Sequence, residues 1–185
     1  MDIYLIRHFA PSVAPGVCYG QTEVGLAPGW EASFAELLVK LPSSFDRVYS
    51  SPWPRCRRLA QRLSSQVIED SRWQELHFGE WEGLPWAVID QNALNVWMKD
   101  FVNVACPGGE SYQELALRVV SAWDELLAQN LATVAIITHA GPIRAILSAV
   151  LELPLEHSFR LAISYGKVSL VRAENQPPVI QFINK

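Results

Sequence analysis

Cysteine is scarce in this chain: three residues, Cys18, Cys56 and Cys106, odd in number, far apart and without a Cys-x-x-Cys pair. That pattern argues against a disulfide framework or a thiolate zinc site and points to a reducing cytoplasm. Long apolar runs are missing too, and every hydrophobic stretch falls well short of the ~20 residues of a membrane-spanning helix. At the amino terminus Asp2 and Arg7 bracket only a strand-length run, so no secretory leader is expected. Positive charge is in short supply. With 15 Lys and Arg against 19 Asp and Glu, the formal net charge of -4 disfavours nucleic acid or an anionic membrane as the main partner. Any anion site must therefore be local. Internal repeats and low-complexity tracts are absent, and nothing in the pattern specifies an oligomer.

What is present is a globular composition, half hydrophobic and 18% charged, long enough at 185 residues for one well-buried domain spanning 1–185. The run Ile3-Tyr4-Leu5-Ile6 ends abruptly in Arg7-His8, as a buried strand would when it delivers polar residues to its carboxyl end. A Pro/Gly-rich passage of about twenty residues follows, and loops beyond ~12–15 residues in a compact domain are usually functional or disordered. Phe34, Leu37, Leu38 and Leu41 have helical spacing, closed by Pro42. Arg47 to Ser51 reads as a second strand. Pro54 opens a helix whose buried stripe is Leu59, Ala60 and Leu63, with Arg55 in its first turn and Arg57, Arg58 and Arg62 on a solvated face. A third strand near Val67-Ile68 leads into residues 73–83, dense in aromatics and carboxylates. Trp97 and Phe101 suggest a helix before the break at Pro107-Gly108-Gly109.

Ser111 and Glu114 form a capping box for a helix buried through Leu115, Val119, Trp123, Leu126 and Leu127. Thr133 to Thr138 is near-continuously apolar, as strands buried on both faces of a largely parallel sheet are. His139 follows, and Ala140-Gly141-Pro142 opens another helix. The tail offers Arg160 to Ser164, a turn at Tyr165-Gly166, Lys167 to Arg172, and a last strand at Val179 to Ile183. The expected architecture is one α/β domain with a mixed central sheet.

In such a sheet, ligands bind at the carboxyl ends of the strands. Two strands here end in histidine and a third leads to an arginine at a helix start, where backbone N–H groups and a guanidinium can grip one anion. Arg7, His8, Arg55 and His139 together would make a small cationic pocket suited to phosphate. A neutral histidine there could attack phosphorus while the cations stabilise the equatorial oxygens. The departing alkoxide needs a proton, and Glu75 or Glu82, beside Trp73, Phe78 and Trp81, could supply it, because an apolar enclosure favours a protonated carboxyl. Each residue alone has a plainer reading: a strand-end histidine is often just hydrogen-bonded, and a carboxylate beside tryptophans may cap a loop. Their joint occurrence outweighs it.

Five segments resemble the histidine phosphatase superfamily, also called phosphoglycerate-mutase-like. These are Leu5-Ile6-Arg7-His8, Ser50-Ser51-Pro52-Trp53-Pro54-Arg55, Phe78-Gly79-Glu80-Trp81-Glu82-Gly83, Pro107-Gly108-Gly109-Glu110-Ser111 and Thr138-His139-Ala140-Gly141. They occur in the family's order over nearly the whole chain. The resemblance implies a three-layer α/β/α sandwich with a mixed, mostly parallel sheet. It implies His8 as the phosphorylated nucleophile, Arg7, Arg55 and His139 as holders of the phosphoryl group, and Glu75, four residues before the glycine of the Phe-Gly segment, as the acid. Glu82 becomes a structural carboxylate. Tyr19, Gly20, Gln21 and Ala140 are the implied substrate contacts, and no metal or cofactor is implied.

Two departures stand out. Phe9 replaces the glycine after the nucleophile, which predicts a pocket narrower on that side, and Leu59 replaces a threonine, which concerns packing.

The loop from Pro15 to Glu23 and the Trp97 region resemble the α-ribazole phosphatase branch, so the expected partner is a small phosphomonoester, with α-ribazole 5′-phosphate of cobalamin nucleotide-loop assembly as the named candidate. The chain is short for a phosphoglycerate mutase, which favours a hydrolase over that phosphotransferase. A broad-specificity phosphomonoesterase competes with it, and a non-catalytic phospho-ligand binding module ranks below, since every catalytic position is filled.

Overall fold

The apolar run at the amino terminus becomes β1 (Asp2–Arg7), near the middle of a six-stranded sheet in this computed structural model, which describes residues 1–174 and 177–185. The other strands are β2 (Arg47–Ser50), β3 (Val67–Glu69), β4 (Thr133–Thr138), β5 (Val168–Arg172) and β6 (Val179–Phe182), in the order β3-β2-β4-β1-β5-β6. β4 runs parallel to both β1 and β2, and β2 is parallel to β3. The β1–β5 and β5–β6 pairs are antiparallel, so the sheet is mixed and mostly parallel, as expected.

Five helices cover the two faces: α1 (Trp30–Leu38), α2 (Pro54–Leu63), α3 (Gln91–Lys99), α4 (Tyr112–Leu127) and α5 (Ala140–Val150). Side chains alternate across a strand, so the central strands divide their residues between two cores. Ile3, Leu5, Val134 and Ile136 join α4 and α5 on one face, while Ile6, Ala135 and Ile137 join α1 and α2 on the other. The near-continuous apolar β4 is explained by this double burial. α4 begins at a full capping box, Ser111 Oγ accepting from the Glu114 N–H and the Glu114 carboxylate from the Ser111 N–H.

Several boundaries differ from the sequence reading. The segment Arg160 to Ser164 is no strand: a 3-10 helix covers Leu155–Arg160, and the loop beyond it is held by side chains, Arg7 and Arg144 donating to the carbonyls of Ile163 and Leu161. Leu38 is exposed, because only Phe34 and Leu37 of α1 face the sheet. Phe101 lies just past α3.

Phe9 is absent from the lining of the pocket it was expected to narrow. Its side chain turns to the α1 face, packs on Trp30 with centroids 6.0 Å apart, and covers Gly166. Gly166 has φ +64°, and a Cβ there would sit 2.3 Å from the Phe9 ring. The glycine missing after His8 is thus matched by one across the contact. Leu59 is fully buried between α2 and the sheet, consistent with a packing role. Gly166→Ala is expected to cost about 2–4 kcal/mol through left-handed strain and overpacking. Phe9→Ala in the same chain removes the clash, so the double variant should lose less than the two single losses added together. Additive losses in urea midpoints would refute the contact.

Candidate active site

The β1–β4 register decides where the two histidines meet. Arg7 pairs with Thr138 at the end of the ladder, so His8 and His139 leave adjacent strands at the same level, tied by the His8 N–H to the Thr138 carbonyl at 3.1 Å. Their rings lie 5.0 Å apart, centroid to centroid. From here the chain goes to α1 on one face and α5 on the other, and strands departing to opposite faces open a crevice between them.

His8 is 1% exposed, and its Nδ1 lies 2.6 Å from the Phe9 carbonyl. A carbonyl can only accept, so Nδ1 carries the proton and the neutral ring presents Nε2 as a lone pair. Burial, and then the Arg55 charge, hold the His8 pKa well below the ordinary histidine value. His139 is depressed in the same direction by burial, Arg55 and His8. Its Nε2 lies 2.8 Å from Ser51 Oγ and 3.5 Å from Cys56 Sγ, whose thiol is pushed up to about 12 by burial and stays protonated. The positive charge of the pocket expected from Arg7, His8, Arg55 and His139 therefore belongs to the arginines, and both imidazoles, not only the attacking one, are held neutral.

Both arginines are held by carbonyl oxygens. Arg55, fully buried, donates from Nη1 to the Thr22 carbonyl at 2.9 Å and from Nη2 to the Gly20 carbonyl. Arg7 donates to the Ile163 carbonyl at 2.5 Å and lies 3.7 Å from the Tyr165 ring centroid. Among the described residues neither forms an ion pair, and the Nε of each is buried without a partner. Buried donors are nearly always paired, so two such orphans side by side mark a place built for an anion.

Glu75 faces the start of α5. Its carboxylate accepts from the Gly141 N–H, at 3.0 and 3.3 Å, and from Leu76 N–H at 3.1 Å. A Cβ at residue 141 would lie 2.2 Å from Oε1, so only glycine admits this approach. Glu82 is turned elsewhere: it accepts from the Gln21 N–H at 2.9 Å, the Phe78 N–H at 3.1 Å and the Thr22 hydroxyl, pinning the loop that carries Tyr19.

A cleft of about 230 Å³ runs outward, lined by Arg7, Tyr19, Glu75, Ala140 and a wall of aromatic rings that includes Trp86 and Trp97. Tyr19 and Ala140 therefore reach the space expected of substrate contacts. Gly20 and Gln21 lie behind it: the Gly20 carbonyl holds Arg55, and the Gln21 amide donates to the Glu75 carbonyl at 3.2 Å.

Sequence reasoning missed four participants. Tyr165 meets Tyr19 hydroxyl to hydroxyl above Arg7, and Ser51 bonds His139. Arg118 holds the carbonyls of Arg72, Gln74 and Glu75 at 2.8 to 3.0 Å and pairs with Glu110. Arg144 lines the cleft. The available signals were Ser51 in a recognised motif, and one arginine on each of two largely apolar helix faces. Among the described residues no three His, Cys, Asp or Glu side chains converge as metal ligands, and no helix is long and apolar enough to cross a membrane.

Two arginines without ion-pair partners among the described residues, a neutral histidine with a free Nε2 and a carboxylate at a helix start make an arrangement chemically suited to a phosphoryl group at the carboxyl edge of the sheet. A family model of the histidine phosphatase superfamily, branch 1, matches residues 3–185, and the protein belongs to that superfamily; it is a phosphatase. A relative named putative phosphoserine phosphatase 2, from Hydrogenobacter thermophilus, is 26% identical over 99% of this chain and 95% of its own length. Among solved structures, the α-ribazole phosphatase of Shigella flexneri superposes with a TM-score of 0.91 at 22% identity, over 100% of this chain and 96% of that one. A mycobacterial glucosyl-3-phosphoglycerate phosphatase reaches 0.86 at 24% identity, over 99% and 98%. At these identities the structural likeness is one of fold.

The two neutral histidines also set a pH dependence. Their folded pKa values lie below the unfolded one near 6.5, so between those values the unfolded chain binds more protons and stability rises with pH. Their contribution is fully present above pH ~6.5 and is lost as pH falls toward the folded values. The melting temperature is expected to drop on acidification below pH ~6.5, less steeply in His139→Asn. An identical pH profile for parent and variant would show that His139 is not held neutral.

Proposed function

We propose a metal-independent phosphomonoester hydrolase that works through a phosphohistidine at His8. What carries the reading is the Nδ1–H bond to the Phe9 carbonyl, which leaves Nε2 unprotonated near two arginines that have no ion-pair partner among the described residues and whose Nε atoms are buried and unpaired. Nε2 attacks phosphorus, the P–N bond forms as the ester P–O bond breaks, and Glu75 gives its proton to the leaving oxygen. Water then attacks the phosphohistidine with Glu75 as base, releasing phosphate and restoring His8. Arg7 and Arg55 clamp the non-bridging oxygens. His139 is held neutral by burial and the Arg55 charge, and a bound dianion favours its charged form, so it joins them on binding.

The aromatic wall suits a flat leaving group, which keeps α-ribazole 5′-phosphate among the candidates. The three cysteines are free and buried, which accords with a cytoplasmic setting. A broad-specificity phosphomonoesterase is the second reading, favoured by the largely apolar cleft walls, since apolar contacts discriminate weakly. A panel of phosphomonoesters ranked by kcat/KM separates the two: one ester far above the rest supports a dedicated enzyme, and a flat profile supports breadth.

His8→Ala should abolish turnover while leaving the protein folded, and rapid-quench labelling of the parent should give an acid-labile, base-stable phosphoenzyme. Labelling on a serine would overturn the mechanism. Arg55→Lys should lose on the order of 10²- to 10³-fold in rate, because lysine keeps the charge without the bidentate fork. Full activity in that variant would mean that only net charge matters.

Glu75→Gln should slow alkyl phosphates far more than an activated aryl phosphate, whose phenolate leaves unaided, with burst and steady rates separating the two half-reactions. Glu82→Gln should affect both ester types alike. The reverse pattern would move the acid to Glu82.

A further inference from the structure

Six of the chain's arginines are not exposed. Arg72, Arg118 and Arg172 form ion pairs with carboxylates. The other three, Arg7, Arg55 and Arg144, form none among the described residues, and all three are at the active site. Arg7 and Arg55 are accounted for by the phosphoryl group. Arg144 is not.

Arg144 is the one charged residue of α5, whose neighbouring positions Ile143, Ala145, Ile146 and Leu147 are all buried in the core. Its position is fixed: Nε donates to the Leu161 carbonyl at 3.0 Å and the guanidinium carbon lies 4.7 Å from the Phe159 ring centroid. The terminal amines Nη1 and Nη2 make no hydrogen bond among the described residues, and the side chain lines the cleft. Glu75, the carboxylate in the same cleft, directs its oxygens to the Gly141 and Leu76 N–H groups instead. Gly141 and Arg144 are three residues apart on one helix, a rise of about 4.5 Å. A leaving group protonated by Glu75 and extending along α5 therefore meets the free edge of the Arg144 fork.

We propose that Arg144 is a specificity-determining residue that binds a carboxylate on the leaving group, selecting phosphomonoesters of hydroxy acids, in which the carboxylate is free. The inference rests on the phosphomonoesterase reading and narrows its substrate. α-Ribazole 5′-phosphate has no carboxylate, so this preference places it below acidic esters.

The test compares 4-carboxyphenyl phosphate with 4-carbamoylphenyl phosphate, two esters of matched size that differ in charge. The parent should favour the carboxylate by on the order of 10- to 100-fold in kcat/KM, the range of a charged hydrogen bond. In Arg144→Gln the ratio should fall toward one through a rise in KM for the carboxylate. Arg144→Lys, which keeps the charge without the fork and serves also if the glutamine variant does not fold, should give an intermediate ratio. No preference in the parent, or an equal loss on both esters in the variants, would overturn the inference and leave Arg144 only as a brace for Leu161. Failure of the parent to hydrolyse either ester or to form a phosphohistidine would instead sink the hydrolase reading itself.

Discussion

The register between β1 and β4 is the constraint on which the site depends. Arg7 opposite Thr138 places one histidine after each strand at the same height. A one-residue slip would turn every side chain of a strand to the other face. Ile3, Leu5 and Ile6 would then exchange cores, and the His8 and His139 rings could not stay 5.0 Å apart. The buried hydrophobic pattern that stabilises the sheet is thus also what aligns the reacting groups. Fold and chemistry share one set of residues, with little freedom to change either alone.

A second framework positions Glu75 from outside the sheet. Glu110, next to the capping box of α4, accepts from the His77 N–H and pairs with Arg118, whose fork gathers three carbonyls of the 72–75 segment. From the other side Gln21 holds the Glu75 carbonyl. The Glu75 backbone is therefore clamped by α4 and by the substrate loop, and its carboxylate by the N-terminus of α5. Charge-assisted bonds of this kind are roughly twice as strong as neutral ones, which suits a loop without regular structure.

Much of this was legible in the sequence, and the reasons differ by residue. Strand ends bearing His8 and His139, the helix opened by Pro54 and the Ser111–Glu114 cap are local signals, readable from periodicity and end chemistry. The solvated Arg57, Arg58 and Arg62 followed from the same periodicity. What escaped depends on contacts distant in the chain. Phe9 was expected to narrow the pocket, yet its direction is set by Trp30 and by Gly166, 157 positions away. Tyr165 joins the site only because the β1–β5 pairing brings its loop over Arg7. Arg144 is a lone charge on an apolar helix, a local signal that it is not an ordinary surface arginine, but its role shows only once the partners of the other non-exposed arginines are known.

The arginines at the strand tips carry an electrostatic tension that nearby carbonyls partly relieve. Arg55 is buried and Arg7 partly so, neither with an ion-pair partner among the described residues, which is costly, and burial of the neighbouring imidazoles keeps them from adding charge. The carbonyls of Gly20, Thr22 and Ile163 take some of the arginine N–H groups, but a carbonyl is a weaker partner than an anion, and each Nε stays unpaired. These acceptors sit on the loops that carry Tyr19 and Tyr165, so the covering of the site is held down by the groups meant to grip phosphate. A dianion entering the pocket competes with those carbonyls for the same donors. Its charge outweighs theirs, because an ionised acceptor forms the stronger bond with a guanidinium.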